Sequence, residues 1–191
     1  MLVEAKLVLI PIIGVLPMSN KLRMVVTGGG TGGHFFPAMA IKTALEGKGV
    51  ETKYIGSIFG VEKERFSADE NALLLNIRGI QRSFSLRAIL MNLVFPYRFL
   101  KSYFQCRTLL KSFQPQVVIG TGGYSSGLPL LAAIHSGIKT VIQEQNSYPG
   151  ITTRHLASRV DCLCIAYQDA LKHLKKKMSF LQETLCGRIF N

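Results

Sequence analysis

Short aliphatic and β-branched runs alternate with longer helical stretches from residue 22 to residue 177, and this alternation limits the fold more than any other feature. Residues 22–27, 51–55, 73–77, 117–120, 139–143 and 160–166 read as strands. Residues 36–48, 62–66, 86–113, 125–136, 150–157 and 168–177 read as helices, with Pro96 interrupting the third and Gly137 closing the fourth. Strands joined through helices pair in parallel by right-handed crossovers, so the pattern predicts an α/β, Rossmann-like parallel sheet with helices on both faces. Hydrophobic residues make up 48% of the 191 and charged residues 18%, enough apolar material to cover both faces of such a sheet.

Ligands of open α/β sheets sit beyond the carboxyl ends of the strands. Three unusual loops fall there: Gly28-Gly-Gly-Thr-Gly-Gly-His34, Gly120-Thr-Gly-Gly-Tyr-Ser-Ser-Gly127 and Gln143-Glu-Gln-Asn-Ser-Tyr-Pro-Gly150. In the first, Gly28, Gly30 and Gly33 satisfy GxGxxG between a strand and a helix. Glycines let the main chain approach an anion, which the free amides and dipole of the helix N-terminus then stabilise. An NAD-dependent oxidoreductase would also place an acid at the end of the second strand, where Tyr54-Ile55-Gly56-Ser57 has none. A Walker-type loop is excluded, because no Gly-Lys-Ser/Thr follows.

His34, in the first turn after the glycines, reads either as a cap on backbone groups or as a general base whose neutral form is available at pH 7. Gly122 and Gly123 form a tight turn suited to a phosphate or sugar, or a plain strand-to-helix turn. Glu144 and Asn146 end a strand with side chains that either bind sugar hydroxyls or serve as caps. His135, His155 and His173 read as helix-surface residues.

Charge narrows the partner. The chain has 23 basic and 11 acidic residues, a net charge of +12. Residues 71–143 contain no Asp or Glu but eight basic residues, Arg78, Arg82, Arg87, Arg98, Lys101, Arg107, Lys111 and Lys139. The same stretch holds the apolar run Ala88-Ile-Leu-Met-Asn-Leu-Val-Phe95. As a helix it is apolar on nearly every side, so it is either a core helix with a basic edge or a segment dipped into an anionic bilayer. Nucleic acid is the poorer partner, since the aromatics are not interleaved with Gly and polar residues as in a base-stacking platform. No apolar run reaches the ~18–20 residues that a membrane span needs. Residues 1–17 read as an apolar extension or a misassigned start, because Glu4 offsets Lys6 and no small-residue cleavage site follows.

These motifs together carry a specific resemblance. Thr27-Gly-Gly-Gly-Thr-Gly-Gly-His-Phe-Phe-Pro-Ala38 resembles the first glycine loop of the MurG family, bacterial GlcNAc transferases of peptidoglycan synthesis. The loop at residues 120–127 is similar to that family's second glycine loop, and Glu144-Gln-Asn146 with Pro149-Gly-Ile-Thr152 to its third block. The resemblance implies the amino-terminal half of a two-domain GT-B fold. It also implies inverting transfer of GlcNAc from UDP-GlcNAc to the C4 hydroxyl of the muramoyl sugar of lipid I, giving lipid II, with no cofactor and no metal. Carried over by position, His34 is the candidate base and Glu144 its companion in the catalytic set. Thr31, Gly32, Gly33, Gly122, Gly123, Tyr124 and Asn146 are the candidate substrate contacts, with Asn146 at the donor sugar.

Arg78, Arg82, Phe84, Arg87, Ile89, Leu90, Leu93 and Val94 match the family's membrane-docking patch, which implies a peripheral enzyme at the cytoplasmic face of the plasma membrane. Gln143 stands where many members carry His. On this reading residues 18–185 form the acceptor-side domain and residues 186–191 begin an interdomain linker. The carboxyl-terminal donor domain is then absent, and the chain alone is expected to have little or no transferase activity. The alternative is a non-catalytic membrane adaptor of a split glycosyltransferase, with the donor domain supplied in trans.

Overall fold

A computed structural model describes residues 21–66, 69–78, 93–174, 179–180 and 186–188. The strands are β1 (Arg23–Thr27), β2 (Glu51–Ser57), β3 (Ala72–Leu75), β4 (Val117–Gly120), β5 (Lys139–Glu144), β6 (Cys162–Ile165), β7 (Ser179–Phe180) and β8 (Cys186–Arg188). The helices are α1 (Gly32–Glu46), α2 (Glu62–Phe66), α3 (Phe95–Phe113), α4 (Tyr124–His135) and α5 (Ile151–Leu156), followed by a 3₁₀ turn at Gln168–His173. The sheet order is β3-β2-β1-β4-β5-β6-β8-β7. The first six strands are parallel in Rossmann order, so the expected fold class holds.

Side chains of a strand alternate between faces, and here the alternation sorts two cores. Met24, Val26, Tyr54, Val117, Ile119 and Val141 face Phe35, Ala38, Ile41 and Leu45 of α1. Val25, Ile55, Val118, Ile142 and Leu163 face the other way, against Cys106 and Leu110 of α3 and Leu128 and Leu130 of α4. Helices therefore cover both faces, and the central strands are buried end to end.

Helix α1 begins at Gly32 rather than Phe36, so Gly32, Gly33 and His34 lie in its first turn. Helix α3 begins at Phe95 with Pro96 in its first turn, where a missing N–H costs nothing, and residues 86–92 of the expected helical stretch lie outside the described residues. Residues 186–188, where the expected linker begins, pair as β8 antiparallel to β6 and extend the sheet. Residues 1–17 lie outside the described residues. No described helix is long and apolar enough to cross a membrane.

The start of β6 is tied to β5 by Asp161, whose carboxylate accepts from Lys139 Nζ at 2.6 Å, the Thr140 amide at 2.9 Å and Thr140 Oγ1 at 3.0 Å. Partial burial works to raise its pKa, but Lys139 and Thr140 outweigh it and hold the group below the usual carboxylate value. A depressed folded pKa stabilises the fold above the unfolded value, ~3.9, and that contribution is lost as pH falls through the folded value. Asp161→Asn is expected to cost about 0.2–1 kcal/mol at pH 7 in urea unfolding, as for a half-exposed ion pair. The gap between variant and parent should shrink on acidification through the carboxylate range.

Candidate functional site

The first glycine loop leaves β1 at Thr27 and is fastened from below by a carboxyl group. Glu62, fully buried at the head of α2, accepts from the Gly30 amide at 3.1 Å and from the Ser57 amide at 2.9 Å. Gly29, Gly56 and Gly60 make room for it, since a Cβ on any of them would run into the Glu62 side chain. Tyr54 donates its hydroxyl to the Gly28 carbonyl while its ring stacks on Phe66. Burial first, then the neighbouring Glu62 and Tyr124, push the Tyr54 pKa up, so the phenol remains a donor. The acid missing from the end of β2 is thus present a few residues later, but it is committed to the loop rather than free for a ribose.

Beyond Gly30 the chain turns into α1. Among the described residues, no acceptor meets the amides of Thr31, Gly32 and Gly33. Thr31 is the N-cap but makes no capping bond with its side chain. Three free amides at a helix N-terminus, with no acidic residue in the first turn, favour an anion there.

His34 is held by the second glycine loop, and Thr121 does the holding. The Thr121 amide donates to the Thr27 carbonyl at 2.9 Å, and its hydroxyl donates to the His34 carbonyl at 2.7 Å. Its own carbonyl lies 2.9 Å from His34 Nδ1. Gly122 and Gly123 have φ of +92° and +79°, and a Cβ on either would press on the imidazole. These two glycines therefore seat the His34 ring, a task that spacing alone did not assign them. The Nε2 atom of His34 meets no partner among the described residues.

The third loop closes the arrangement through Gln145. Pro37, inside α1, has no N–H to offer the Gly33 carbonyl one turn back. Gln145 Nε2 takes that place at 2.9 Å, and the same nitrogen lies 2.7 Å from His34 Nδ1. Glu144 turns the other way. Only 1% exposed, it accepts from the Asn146 amide and side chain at 3.1 and 2.8 Å, from the Gly150 amide at 3.2 Å and from Thr153 Oγ1 at 2.6 Å. Both of its oxygens are occupied inside its own loop, so in this structure it shapes that loop and holds Asn146.

The structure thus brings Thr31, Gly32, Gly33, His34, Gly122 and Gly123 together. Tyr124, half-buried, packs against Gly30, and Asn146 is exposed at the rim. Of the candidate membrane residues, Arg78, Leu93 and Val94 are exposed, and the Arg78 guanidinium lies 4.8 Å from the Phe59 ring centroid. Arg82, Phe84, Arg87, Ile89 and Leu90 lie outside the described residues. Thr121, Gln145 and Glu62 went unnoticed in the sequence. Only Pro37, which strips the Gly33 carbonyl of its helical donor, hinted that something must reach that point.

Comparison with known proteins identifies a family for the chain. Residues 24–165 match the glycosyltransferase family 28 N-terminal domain. The UDP-N-acetylglucosamine–N-acetylmuramyl-(pentapeptide) pyrophosphoryl-undecaprenol N-acetylglucosamine transferase of Christiangramia forsetii is 42% identical over 154 residues, covering 79% of this chain and 41% of that protein. The Cytophaga hutchinsonii protein of the same name is 38% identical over 156 residues, covering 80% and 41%. The crystal structure of MurG from Acinetobacter baumannii superposes with a TM-score of 0.63 at 26% identity, covering 78% of this chain and 42% of that one. A UDP-GlcNAc 2-epimerase from Methanocaldococcus jannaschii, at 17% identity and a TM-score of 0.52, shares the fold. The chain spans about two fifths of the length of the curated relatives it matches.

Glu62→Ala leaves the Gly30 and Ser57 amides without an acceptor, and an orphaned buried donor costs about 1–3 kcal/mol. A loss of that size is expected in denaturant unfolding. Gly123→Ala adds a Cβ where φ is +79° and the Gly29 carbonyl blocks the way, and should cost at least as much. Unchanged stability in both variants would show that the two loops are not fastened in this way.

Proposed function

Because the chain belongs to glycosyltransferase family 28, whose N-terminal domain it carries, we propose that it forms the acceptor side of an inverting N-acetylglucosaminyltransferase. The acceptor is the muramoyl sugar of an undecaprenyl-diphosphate-linked intermediate, lipid I, and the donor is UDP-GlcNAc. The names of the 38–42% identical relatives support that substrate pair. The observation that weighs most is Nε2 of His34, without a partner among the described residues, in the same helical turn as the free amides of Thr31, Gly32 and Gly33.

In this reading Nε2 takes the proton of the acceptor's C4 hydroxyl as the oxygen attacks the anomeric carbon of GlcNAc. The bond from that carbon to the diphosphate breaks on the opposite side, UDP departs, and the configuration inverts. The Thr121 carbonyl steadies the imidazolium that forms, through Nδ1–H. Asn146, which is exposed, is the donor-sugar contact in this reading, and the amides of α1 favour the diphosphate.

Helix α3 supports a site at a lipid surface. Leu93, Tyr97, Leu100 and Phe104 are 76%, 66%, 55% and 61% exposed. At ~100° per residue the three that belong to α3, Tyr97, Leu100 and Phe104, fall within an arc of about 60°, one narrow stripe, and Leu93 precedes them just before the helix. Arg107 and Lys111 continue the same stripe, and Lys101 flanks it. An apolar strip ending in cations suits acyl chains and anionic headgroups, which would hold the enzyme where the acceptor's sugar emerges.

Joined to the carboxyl-terminal part of the C. forsetii relative, the chain should transfer GlcNAc to a soluble lipid I analogue. His34→Ala should lower kcat by about 10²–10⁴-fold. Full activity in that variant would dismiss the base. An inactive fusion that still binds vesicles would favour the adaptor reading. In vesicle co-sedimentation, binding should increase with anionic lipid, weaken with salt and fall on Leu100→Asp or Phe104→Asp. Indifference to lipid charge and to both substitutions would remove the membrane face.

A further inference from the structure

We propose that Gln145 is a positioning residue that keeps both neutral tautomers of His34 populated. Two groups converge on Nδ1: the Thr121 carbonyl at 2.9 Å and the Gln145 carboxamide nitrogen at 2.7 Å. Their demands are opposite. A carbonyl accepts and so requires Nδ1–H, whereas an amide nitrogen donates and so requires a lone pair at Nδ1. A neutral imidazole cannot satisfy both. With the proton on Nδ1, two N–H groups face each other. With the proton on Nε2, the Nδ1 lone pair faces the carbonyl oxygen.

Turning the carboxamide over would remove the conflict by presenting its oxygen to Nδ1–H. The Gly33 carbonyl resists that turn, because it would then face an oxygen in place of the nitrogen that now donates to it at 2.9 Å. Gly33 depends on that donor because Pro37 supplies none, so a proline in α1 fixes which end of Gln145 meets the histidine. The carboxamide oxygen is meanwhile buried without a donor, a cost that the arrangement retains. Gln145 thus keeps the two tautomers of His34 in balance where Thr121 alone would select one.

The catalytic consequence rests on the proposed role of His34 as base. Only the Nδ1–H tautomer has its lone pair on Nε2, facing the hydroxyl. Once Nε2 takes the proton, the ring carries N–H at both positions, its bond to Thr121 strengthens, and the Gln145 nitrogen must draw away. Proton arrival is thereby coupled to a loosening of the third loop, which also carries Asn146.

The tautomer is read from the side-chain ¹⁵N shifts of His34 in the labelled 191-residue chain, at alkaline pH on the plateau of the neutral ring. The resonance is assigned by its loss in His34→Gln. The unaltered chain should show Nδ1 and Nε2 shifts between the protonated and unprotonated limits. Gln145→Ala should move Nδ1 to the N–H limit and Nε2 to the lone-pair limit. Pro37→Ala restores a donor to Gly33 and frees the carboxamide to turn, so it should shift both nitrogens in the same direction. A single Nδ1–H tautomer in the unaltered chain overturns the proposal, a result that does not depend on either variant folding. Unmoved shifts in both variants overturn it equally. None of these readouts needs transferase activity, so they stand apart from the test of His34 as base.

Discussion

Thr121 is the point on which the site depends. One residue gives its amide to Thr27, its hydroxyl to the His34 carbonyl and its carbonyl to the His34 ring. The ends of β1 and β4 are adjacent in the parallel sheet, Thr27 beside Gly120, so the residue after β4 falls within reach of the turn after β1. Sheet pairing thus sets the distance between the two glycine loops, and Thr121 converts that distance into an oriented imidazole. The glycines follow as a consequence. Gly28 would collide with Thr121, Gly30 with Tyr124, and Gly123 with the Gly29 carbonyl if each had a Cβ. Two main chains pass too closely here for side chains, whatever ligand later arrives.

This explains which parts of the molecule were legible in the sequence. The alternation of strand and helix was, because buried parallel strands need unbroken aliphatic runs and the crossover needs a helix. The loops were, because glycine runs stand out and their place after strands is local information. Their tasks were not. Gly122 and Gly123 read either as a cradle for phosphate or sugar or as a plain turn, and spacing did not show that they also seat a histidine. Glu144 read either as a sugar contact or as a cap, and the structure engages its two oxygens with Asn146, Gly150 and Thr153 within nine residues. Thr121, Gln145 and Glu62 act across 87, 111 and 32 residues, and no period or spacing marks such partners. Strands β7 and β8 were missed because two and three residues are too few to show alternation.

Glu62 also decides where in the first loop a ligand can sit. Its carboxyl group occupies the Gly30 amide, so the inner part of the loop is already satisfied and presents oxygen to anything approaching it. On the proposed reading a diphosphate is directed outward, to the amides of Thr31, Gly32 and Gly33 in the first turn of α1. His34 is the next residue of that turn. The proposed anion site and base are then both fixed to one rigid helix end, and their separation does not depend on a flexible loop. Holding both on one element matters because an attacking oxygen and a departing diphosphate must lie on opposite sides of a single carbon.

The direction of α3 bears on where a lipid-linked acceptor could meet that helix end. A crossover helix runs antiparallel to its strands, so it begins at their carboxyl ends and finishes at their amino ends. The end of α3 conforms: Phe113 lies under the Arg23 guanidinium, 5.9 Å from its ring centroid, at the beginning of β1. The apolar positions Tyr97 and Leu100 belong to the opposite half, with Leu93 just before the helix and Phe104 at its middle, toward the end of the sheet that holds the three loops. Arg107 and Lys111 lie farther along the same helix, which is about 28 Å long at ~1.5 Å per residue. A bilayer contacting the apolar half would therefore lie beside the loops rather than behind the sheet. The proposed acceptor, whose sugar is only a diphosphate away from its hydrocarbon chain, requires that proximity. Had the apolar half been the end nearer Phe113, the same composition would have held His34 a full sheet's length from the lipid surface.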